Sequence, residues 1–232
     1  MNKIGIIGAM DEEVSILKEK MELSKVVDMA SMEFYEGKLS GKDVVIVRSG
    51  IGKVNAAVCT QILVSVFQTD CVINTGVAGS LKNEINIGDI VLSEDALNHD
   101  MDATGFGYEP GIIPRMETSV FKADKTLVNL AKAVNEEVNS DIKTFVGRVV
   151  SGDQFISDAD KKSMLVSQFH GYCTEMEGAA IAQTAYLNQI PYLVIRAISD
   201  KADHSAEMDY DEFERKAIEH TVKLVTNLLK KM

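Results

Sequence analysis

The chain has 232 residues, 46% of them hydrophobic, three cysteines, and a formal charge of −11 from 24 Lys and Arg against 35 Asp and Glu residues. This acidic balance would repel a phosphate backbone, so we expect no nucleic-acid partner. No stretch approaches the roughly 20 apolar residues that cross a bilayer and no secretory signal is visible, so we predict a cytoplasmic protein without a membrane partner. The odd number of widely spaced cysteines predicts buried thiols rather than disulfides or a zinc knuckle.

Apolar runs with strand character alternate with longer amphipathic stretches. Residues 3–9 predict a buried strand, and residues 11–21 predict a helix whose acidic first turn suits a helix N-terminus. Residues 34–39 and 43–48 flank a turn-like Ser-Gly-Lys segment and predict a hairpin, so the sheet should be mixed. Further predicted strands are 71–75, 89–93, 145–150 and 192–199, and further helices are 55–67, 125–138, one from about 177, and 211–229. We predict an α/β fold in one domain spanning residues 1–232.

Residues 95–117 differ from the rest of the chain because glycine, proline and aromatic residues are concentrated there. Connections of this length without regular structure are usually functional or disordered, and the aromatic residues favour order. Two interpretations stay open. The segment is either a surface excursion that packs on its own apolar residues, or a loop that caps a ligand or reaches a neighbouring subunit.

Three acidic motifs stand where apolar runs end, at residues 11–13, 175–177 and 196–200. In open α/β sheets, ligands collect at the carboxyl ends of the strands. A single carboxylate is most often a solvated surface charge. Because three separate motifs deliver carboxylates to strand ends, we predict one acid/base site built from distant parts of the chain.

Several nucleotide and metal motifs are incomplete in this sequence. Residues 5–8 lack the glycine spacing of a dinucleotide site, and residues 47–54 lack the first glycine and the hydroxyl of a P-loop. The four histidines are too scattered to specify a metal site, although His99, Asp100 and Asp102 are candidates to contact a cation. We therefore expect neither a cofactor nor a metal.

Six segments, in one order along nearly the whole chain, together carry a specific resemblance. They are Gly5-Ile6-Ile7-Gly8-Ala9-Met10 with Glu12-Glu13, Ser49-Gly50-Ile51-Gly52-Lys53-Val54-Asn55-Ala56-Ala57, Asn74-Thr75-Gly76, Ser151-Gly152-Asp153-Gln154-Phe155-Ile156, Glu175-Met176-Glu177 and Arg196-Ala197-Ile198-Ser199-Asp200. The chain resembles the bacterial methylthioadenosine/S-adenosylhomocysteine nucleosidases of the purine nucleoside phosphorylase and uridine phosphorylase superfamily. This resemblance implies a three-layer α/β/α fold with a mixed, partly barrel-like central sheet.

The resemblance implies hydrolysis of an adenosine thioether at its N-glycosidic bond, which releases adenine for methionine salvage and methyl-cycle recycling. Cleavage builds positive charge on the ribose and negative charge on the base, so the site needs an acid, an anion and a base for water. By similarity, Asp200 protonates adenine N7, Glu13 activates the water, and Arg196 pairs with carboxylates near that water. Glu177 accepts hydrogen bonds from the ribose hydroxyls and stabilises the developing positive charge. An ordinary Asp, with a pKa of about 3.9, needs burial or a like charge to act as an acid at neutral pH.

The resemblance also implies the substrate contacts. Phe155 stacks on adenine, and the peptide groups of Ile156 read its edge. Met176 packs under the sugar, and Ser199 supports the predicted acid. The other implied contacts are Ala78 and Gly79, an apolar 5′ slot of Met10, Ile51, Phe106 and Tyr210, and Tyr108 and Pro114 from the partner in a homodimer. An apolar slot suits a thioether better than a hydroxyl, which would be left without hydrogen-bond partners.

Val77 stands where the family usually has serine, so a hydroxyl contact from this position is lost. Three alternatives stay open: a purine nucleoside phosphorylase, a futalosine-type nucleosidase that differs in the 5′ slot, and a nucleoside-binding protein without turnover. Phosphorylases of the superfamily hold phosphate with arginines near the first strand and before the glycine turn. Here those places carry the acidic residues 11–13 and Ile73-Asn74, so hydrolysis is favoured.

Overall fold

The structure is a computed structural model that describes residues 1–203 and 206–232, with side chains described outside residues 204–212. The strands are β1 Lys3–Gly8, β2 Glu22–Met29, β3 Met32–Leu39, β4 Lys42–Arg48, β5 Cys71–Ser80, β6 Ile90–Asn98, β7 Phe121–Lys122, β8 Thr144–Ser151, β9 Cys173–Glu175 and β10 Tyr192–Asp200. The helices are α1 Asp11–Lys20, α2 Lys53–Ser65, α3 Lys125–Val138, α4 Ala159–Phe169, α5 Gly178–Leu187 and α6 Ala206–Lys231. Within these ranges, no helix has both the length and the apolar character to span a membrane.

One end of the sheet closes into a barrel. The strand order is β10-β6-β8-β9-β5-β1-β4-β3-β2, and β10 also pairs with β5, so β10, β6, β8, β9 and β5 form a closed ring. This is possible because β5 is 10 residues long. Its first half pairs with β1, while its last two residues pair with β9. The predicted mixed, partly barrel-like sheet is confirmed.

Helices cover both faces of the sheet. Successive side chains of a strand point to opposite faces, and in β1 Ile6 packs with α1, α3 and α6 while Ile7 packs with α2 and α5. This arrangement confirms the predicted three layers. All three cysteines, Cys59, Cys71 and Cys173, are buried free thiols, as the sequence predicts.

The topology gathers the acidic motifs at one edge of the sheet. β1, β4, β5 and β10 are parallel, so their carboxyl ends lie together. The chain passes from β1 into α1, which carries Glu13, and β10 ends at Asp200. β9 runs antiparallel to β5 and pairs Thr174 with Gly79, which brings Glu175 back to the same edge. Ligands of α/β sheets bind at such an edge.

The sequence analysis missed β2, β7, β9 and α4. β2 is a largely exposed edge strand, and β7 and β9 have only 2 and 3 residues, so none carries a long apolar run. α4 begins after Asp158, whose carboxylate accepts a hydrogen bond from the Lys161 amide. Such an N-cap stabilises a helix that has little amphipathic pattern.

The predicted loop 95–117 begins too early. β6 continues to Asn98, and the charge of Asp95 inside this strand is compensated by Arg148, 2.7 Å away. Polar residues therefore concealed the second half of β6. The loop proper packs partly on itself, because the Gly111 amide donates to the Met101 carbonyl at 2.8 Å. Elsewhere β5 extends beyond its predicted end to Ser80, and α6 begins at Ala206 rather than near 211.

Candidate active site

A cavity of about 380 Å³ opens where β1, β5, β9 and β10 meet, and it adjoins a recess of about 30 Å³. The predicted site residues that line the cavity are Met10, Glu13, Ile51, Ala78, Gly79, Phe155, Met176, Glu177, Ser199 and Asp200. Ile156 lines the recess, together with Gly79, Phe155, Met176 and Asp200. Segments far apart in the sequence thus share one cavity.

Glu13 lies in the first turn of α1 and is only 3% exposed. Its Oε2 accepts hydrogen bonds from the amides of Ala9 at 2.6 Å and Met10 at 3.1 Å, and its Oε1 accepts from the Val77 amide at 3.1 Å. Burial raises the pKa of Glu13 above its ordinary value, although the Arg196 charge and the three amides oppose this rise. An oriented carboxylate with a raised pKa suits a general base.

Two neighbouring residues of β5 shape the space around Glu13. A Cβ on Gly76 would lie 2.6 Å from Arg196 Nη1 and closer still to Glu13 Oε1, so a side chain here would displace the charged groups. Val77 donates its backbone amide to Glu13 although it lacks the serine hydroxyl usual in the family. This contact to Glu13 therefore does not depend on the side chain at position 77.

Glu175 lines the cavity, and the sequence analysis gave it no role although it belongs to the Glu-Met-Glu motif. It forms an ion pair with Arg196, accepts a hydrogen bond from the Ser151 hydroxyl, and accepts from the amides of Glu177 at 3.1 Å and Gly178 at 2.7 Å. Burial raises the pKa of Glu175, but the Arg196 charge and these hydrogen bonds outweigh burial and hold it below its ordinary value. Glu175 is therefore an anion that holds Arg196 and the start of α5.

Arg196 lies behind the cavity rather than in its lining. It is 1% exposed, and its Nη2 donates to Asn74 Oδ1 at 2.6 Å and to Glu175, and lies 3.8 Å from Glu177 Oε2. Burial lowers the pKa of Arg196, but the charges of Glu175, Glu13 and Glu177 outweigh burial and raise it above its ordinary value. The predicted pairing with carboxylates agrees with this geometry. Because Arg196 does not line the described cavity, we treat it as a positioning residue rather than as one of the catalytic residues.

Glu177 precedes α5 and faces the cavity. Its Oε1 accepts a hydrogen bond from the Gly52 amide at 2.8 Å. Burial and the neighbouring charge of Glu175 raise the pKa of Glu177, and Arg196 and the Gly52 amide oppose the rise only in part. An anion that is unfavourable in the empty site gains most when a positive charge develops beside it.

Asp200 ends β10 and is 2% exposed. Its Oδ2 accepts a hydrogen bond from the Ser199 hydroxyl at 2.8 Å, and its Oδ1 accepts from the Ala202 amide at 2.7 Å. These contacts fix the orientation of the carboxyl group. Because Asp200 lines both the cavity and the recess, it stands at the junction between them.

The predicted 5′ slot is incomplete in the single chain. Met10 and Ile51 line the cavity, but Phe106 does not, and its side chain is 88% exposed. The reason is that the loop after β6 places Phe106 in a short 3-10 turn away from the cavity. Tyr108 and Pro114, predicted to act in a neighbouring subunit, are also absent from the described lining. The predicted contact of Tyr210 lies outside the described side chains.

The lining of the cavity is rich in acidic side chains. Four carboxylate residues line it, and none of its described lining residues is Lys or Arg. The nearest buried cation is Arg196, which is already paired with Glu175. The cavity therefore suits a neutral or cationic ligand better than an anion.

The suggested cation contact of His99, Asp100 and Asp102 is not supported. Asp100 pairs with Lys53 Nζ at 2.5 Å, and Asp102 accepts hydrogen bonds from Thr104. Burial lowers the pKa of His99. In the part of the chain that the structure describes, no group of three potential ligands could hold a metal ion.

Comparison with known proteins identifies the family of this chain. A model of the phosphorylase superfamily matches residues 3–230. A 5′-methylthioadenosine/S-adenosylhomocysteine nucleosidase from Staphylococcus carnosus is 43% identical over 230 residues, which cover 99% of this chain and 100% of the relative. This chain belongs to the 5′-methylthioadenosine/S-adenosylhomocysteine nucleosidase family. The predicted resemblance and fold are thereby confirmed.

Solved structures agree with this nucleosidase family. The nucleosidase from Neisseria meningitidis, in complex with methylthio-immucillin-A, has a TM-score of 0.95 and 38% identity, covering 100% of both chains. The native structure of futalosine hydrolase from Helicobacter pylori has a TM-score of 0.94 and 32% identity, covering 100% of this chain and 98% of that chain. Backbone similarity alone therefore does not separate structurally similar enzymes that are named for different nucleosides.

Proposed function

We propose that the protein hydrolyses the N-glycosidic bond of 5′-methylthioadenosine and S-adenosylhomocysteine and releases adenine, with residues 1–232 acting as one nucleosidase domain. The observation that carries the proposal is the convergence of Glu13, Glu177 and Asp200 on one cavity of about 380 Å³. A relative named for this activity is 43% identical over 99% of the chain, which supports the same substrates.

Protonation of the leaving base is the task of Asp200. Its position at the junction with the recess suits a purine that enters the recess between Phe155 and Ile156. Transfer of a proton to N7 makes adenine a neutral leaving group, so negative charge does not build up on the base. The Ser199 hydroxyl and the Ala202 amide, which donate to Oδ2 and Oδ1, hold the carboxyl group in place for this transfer.

The sugar and the water are handled by two other carboxylates. Glu177 accepts hydrogen bonds from the ribose hydroxyls, and its negative charge stabilises the oxocarbenium ion as the bond breaks. Glu13 removes a proton from the attacking water, and its carboxylate is held for this by three backbone amides. Arg196 keeps the surrounding carboxylates in place from behind the cavity.

The charge of the cavity favours water over phosphate as the nucleophile. A phosphate dianion in this cavity would lie beside acidic side chains, and none of the described lining residues is Lys or Arg. At 4 Å and an effective dielectric of 20, a dianion beside one ionised carboxylate costs about 8 kcal/mol. Hydrolysis is therefore favoured over phosphorolysis.

The 5′ substituent is placed in the apolar part of the cavity near Met10 and Ile51. Since Ile51 is 54% exposed, this slot needs a further wall. We propose that Tyr108 and Pro114 from a second copy supply it in a homodimer. Light scattering that shows only a monomer at assay concentration would contradict this part of the proposal. The cytoplasmic location stays a prediction.

The proposed reaction is tested by product analysis in the presence and absence of phosphate. With 5′-methylthioadenosine, we expect adenine and the reducing sugar at the same rate in both buffers, because water is the nucleophile. Formation of the sugar 1-phosphate would indicate a phosphorylase. Saturable binding without turnover would indicate a binding protein.

A futalosine-type nucleoside is the second candidate substrate, because futalosine hydrolase has a similar structure. The same assay with S-adenosylhomocysteine and a futalosine-type nucleoside ranks the substrates by kcat/KM. We expect the two adenosine thioethers to lead, since Met10 and Ile51 offer an apolar wall to a thioether. A higher kcat/KM for the futalosine-type nucleoside would reverse the assignment.

A further inference from the structure

Lys53, Asp100 and Asp153 form a closed set of contacts at the rim of the cavity. Lys53 Nζ lies 2.5 Å from Asp100 Oδ1, and the Asp153 amide donates to Asp100 Oδ2 at 3.0 Å. The Lys53 amide donates to Asp153 Oδ1 at 2.8 Å. The three residues come from the start of α2, the loop after β6 and the loop after β8. Each contacts the other two, so this rim network joins three separate segments.

Two segments of the rim network also carry groups of the site. Gly52, next to Lys53, donates its amide to Glu177 Oε1 at 2.8 Å. Ile51, two residues before Lys53, lines the cavity. Phe155, two residues after Asp153, lines both the cavity and the recess. The rim network therefore connects the carboxylate on the sugar side with the aromatic ring on the base side.

The contact between the α2 and β8 segments is close. Gly52 has a φ of 97°, and a Cβ there would lie 3.1 Å from Asp153 Oδ1. The side chains of Lys53 and Asp100 are each 21% exposed. Burial raises the pKa of Asp100, but the Lys53 ammonium and the Asp153 amide outweigh burial and hold it below its ordinary value. The ion pair is therefore intact at neutral pH.

We infer that the rim network is a positioning unit for catalysis. It fixes the Gly52 to Glu177 hydrogen bond and the Phe155 ring relative to each other, so that one nucleoside contacts Glu177 and Phe155 at the same time. The inference rests on the proposed function. Its physical basis is that misplacing one of two groups that bind the same substrate loses the advantage of a preformed site. Lys53, Asp100 and Asp153 do not line the described cavity and act through their neighbours.

The test compares Lys53→Met, Asp100→Asn and the double variant in the full-length protein. We expect each single change to lower kcat/KM for 5′-methylthioadenosine about tenfold, and the double change to lower it no further, because both remove the same contact. Lys53→Arg should recover kcat/KM to within about threefold, since it restores the positive charge. Lys132→Met, which breaks the exposed ion pair with Glu136 on α3, is the matched control and should have no effect.

The readouts separate positioning from stability. A merely structural role would lower the Tm and leave kcat/KM of the folded variants within about twofold of wild type at 25 °C, which would overturn the inference. Losses that multiply in the double variant would also overturn it. If Lys53→Met fails to fold, Asp100→Asn, which keeps the side-chain shape, decides alone.

Failure of the proposed function can be told apart from failure of this inference. The wild-type assay tests the function by itself. Adenine binding, measured by calorimetry, tests the rim network without turnover, because Phe155 lies on the base side. We expect the Kd of adenine to rise at least about threefold in Lys53→Met and in Asp100→Asn. An unchanged Kd in both variants would overturn the inference even if the wild type is an active nucleosidase.

Discussion

We expect the Asp200→Asn variant to lower kcat for 5′-methylthioadenosine by about 10²- to 10⁴-fold while substrate still binds, because general acid catalysis contributes about this much. An amide has nearly the shape of the carboxyl group. Its oxygen can still accept from the Ala202 amide and its NH2 group can donate to the Ser199 hydroxyl, in the reverse of the native direction, but it cannot deliver a proton to adenine N7. The loss corresponds to about 3–5 kcal/mol of transition-state stabilisation. Steady-state kinetics and adenine binding measure the two parts separately.

The matched control for this prediction is Asp141→Asn. Asp141 is exposed in the connection between α3 and β8, and the same substitution there should leave kcat unchanged. If kcat of Asp200→Asn stays within about tenfold of wild type, Asp200 is not the acid. If kcat falls and adenine binding is also lost, Asp200 acts mainly in binding, and its assigned role is wrong.

Glu13→Gln should also lower kcat by about 10²- to 10⁴-fold, because the base that activates water is removed. Stability should fall as well. Both carboxylate oxygens of Glu13 accept hydrogen bonds from backbone amides. Gln has only one accepting oxygen, so the buried N–H groups that face its NH2 group would be left unsatisfied. Such a loss costs about 1–3 kcal/mol and should lower the Tm. Activity must therefore be measured at a temperature where both proteins are folded.

The pH dependence gives an independent test of Glu13. Only its deprotonated form can act as a base, and burial raises its pKa above the ordinary value of 4.5. As the pH falls through this raised pKa, kcat/KM of the wild type should decrease at a higher pH than an ordinary glutamate would allow. The pH profile of the residual activity of Glu13→Gln should lack this acidic limb and keep only the one near pH 8 that Glu177 contributes, because Glu177 must also be ionised. The exposed neighbour provides the control, because Glu12→Gln should keep both the rate and the limb. A wild-type limb retained in Glu13→Gln would assign it to another group.

Most of the fold was predictable because buried strands and amphipathic helices leave long apolar patterns. Successive β1 side chains enter cores on opposite faces, and this two-sided burial produces the continuous apolar run at residues 3–9. β2 leaves no such run because it is a largely exposed edge strand. The 3-residue β9 is too short for a pattern, although it completes the barrel. Closure of the barrel depends on pairing between distant strands, which a local pattern does not record.

The lining of the site was predictable where the residues of a motif themselves line the cavity. Glu13, Glu177 and Asp200 are such residues. Glu175 was missed because the sequence does not show that it pairs with the buried Arg196. It looks there like any other acidic residue next to Glu177. Local motifs likewise could not show that Arg196 lies behind the lining, or that the loop carries Phe106 away from the cavity. These facts depend on tertiary packing.

Four carboxylates in one cavity need explanation, because like charges raise one another's pKa. The structure divides their roles by environment. Glu175 is held ionised by Arg196 and hydrogen bonds, whereas burial and the charge of Glu175 raise the pKa of Glu177. In the proposed reaction, formation of a ribose cation would relieve this repulsion, so the site would gain electrostatic stabilisation in the transition state rather than in the ground state.

A crystal structure of Asp200→Asn with 5′-methylthioadenosine tests the central claim most directly. The account predicts intact nucleoside in the cavity of about 380 Å³, with ribose hydroxyls within hydrogen-bond distance of Glu177 and a water beside Glu13. Adenine N7 should face position 200, with the purine against Phe155. A nucleoside bound outside this cavity, or with its base directed away from position 200, would contradict the account.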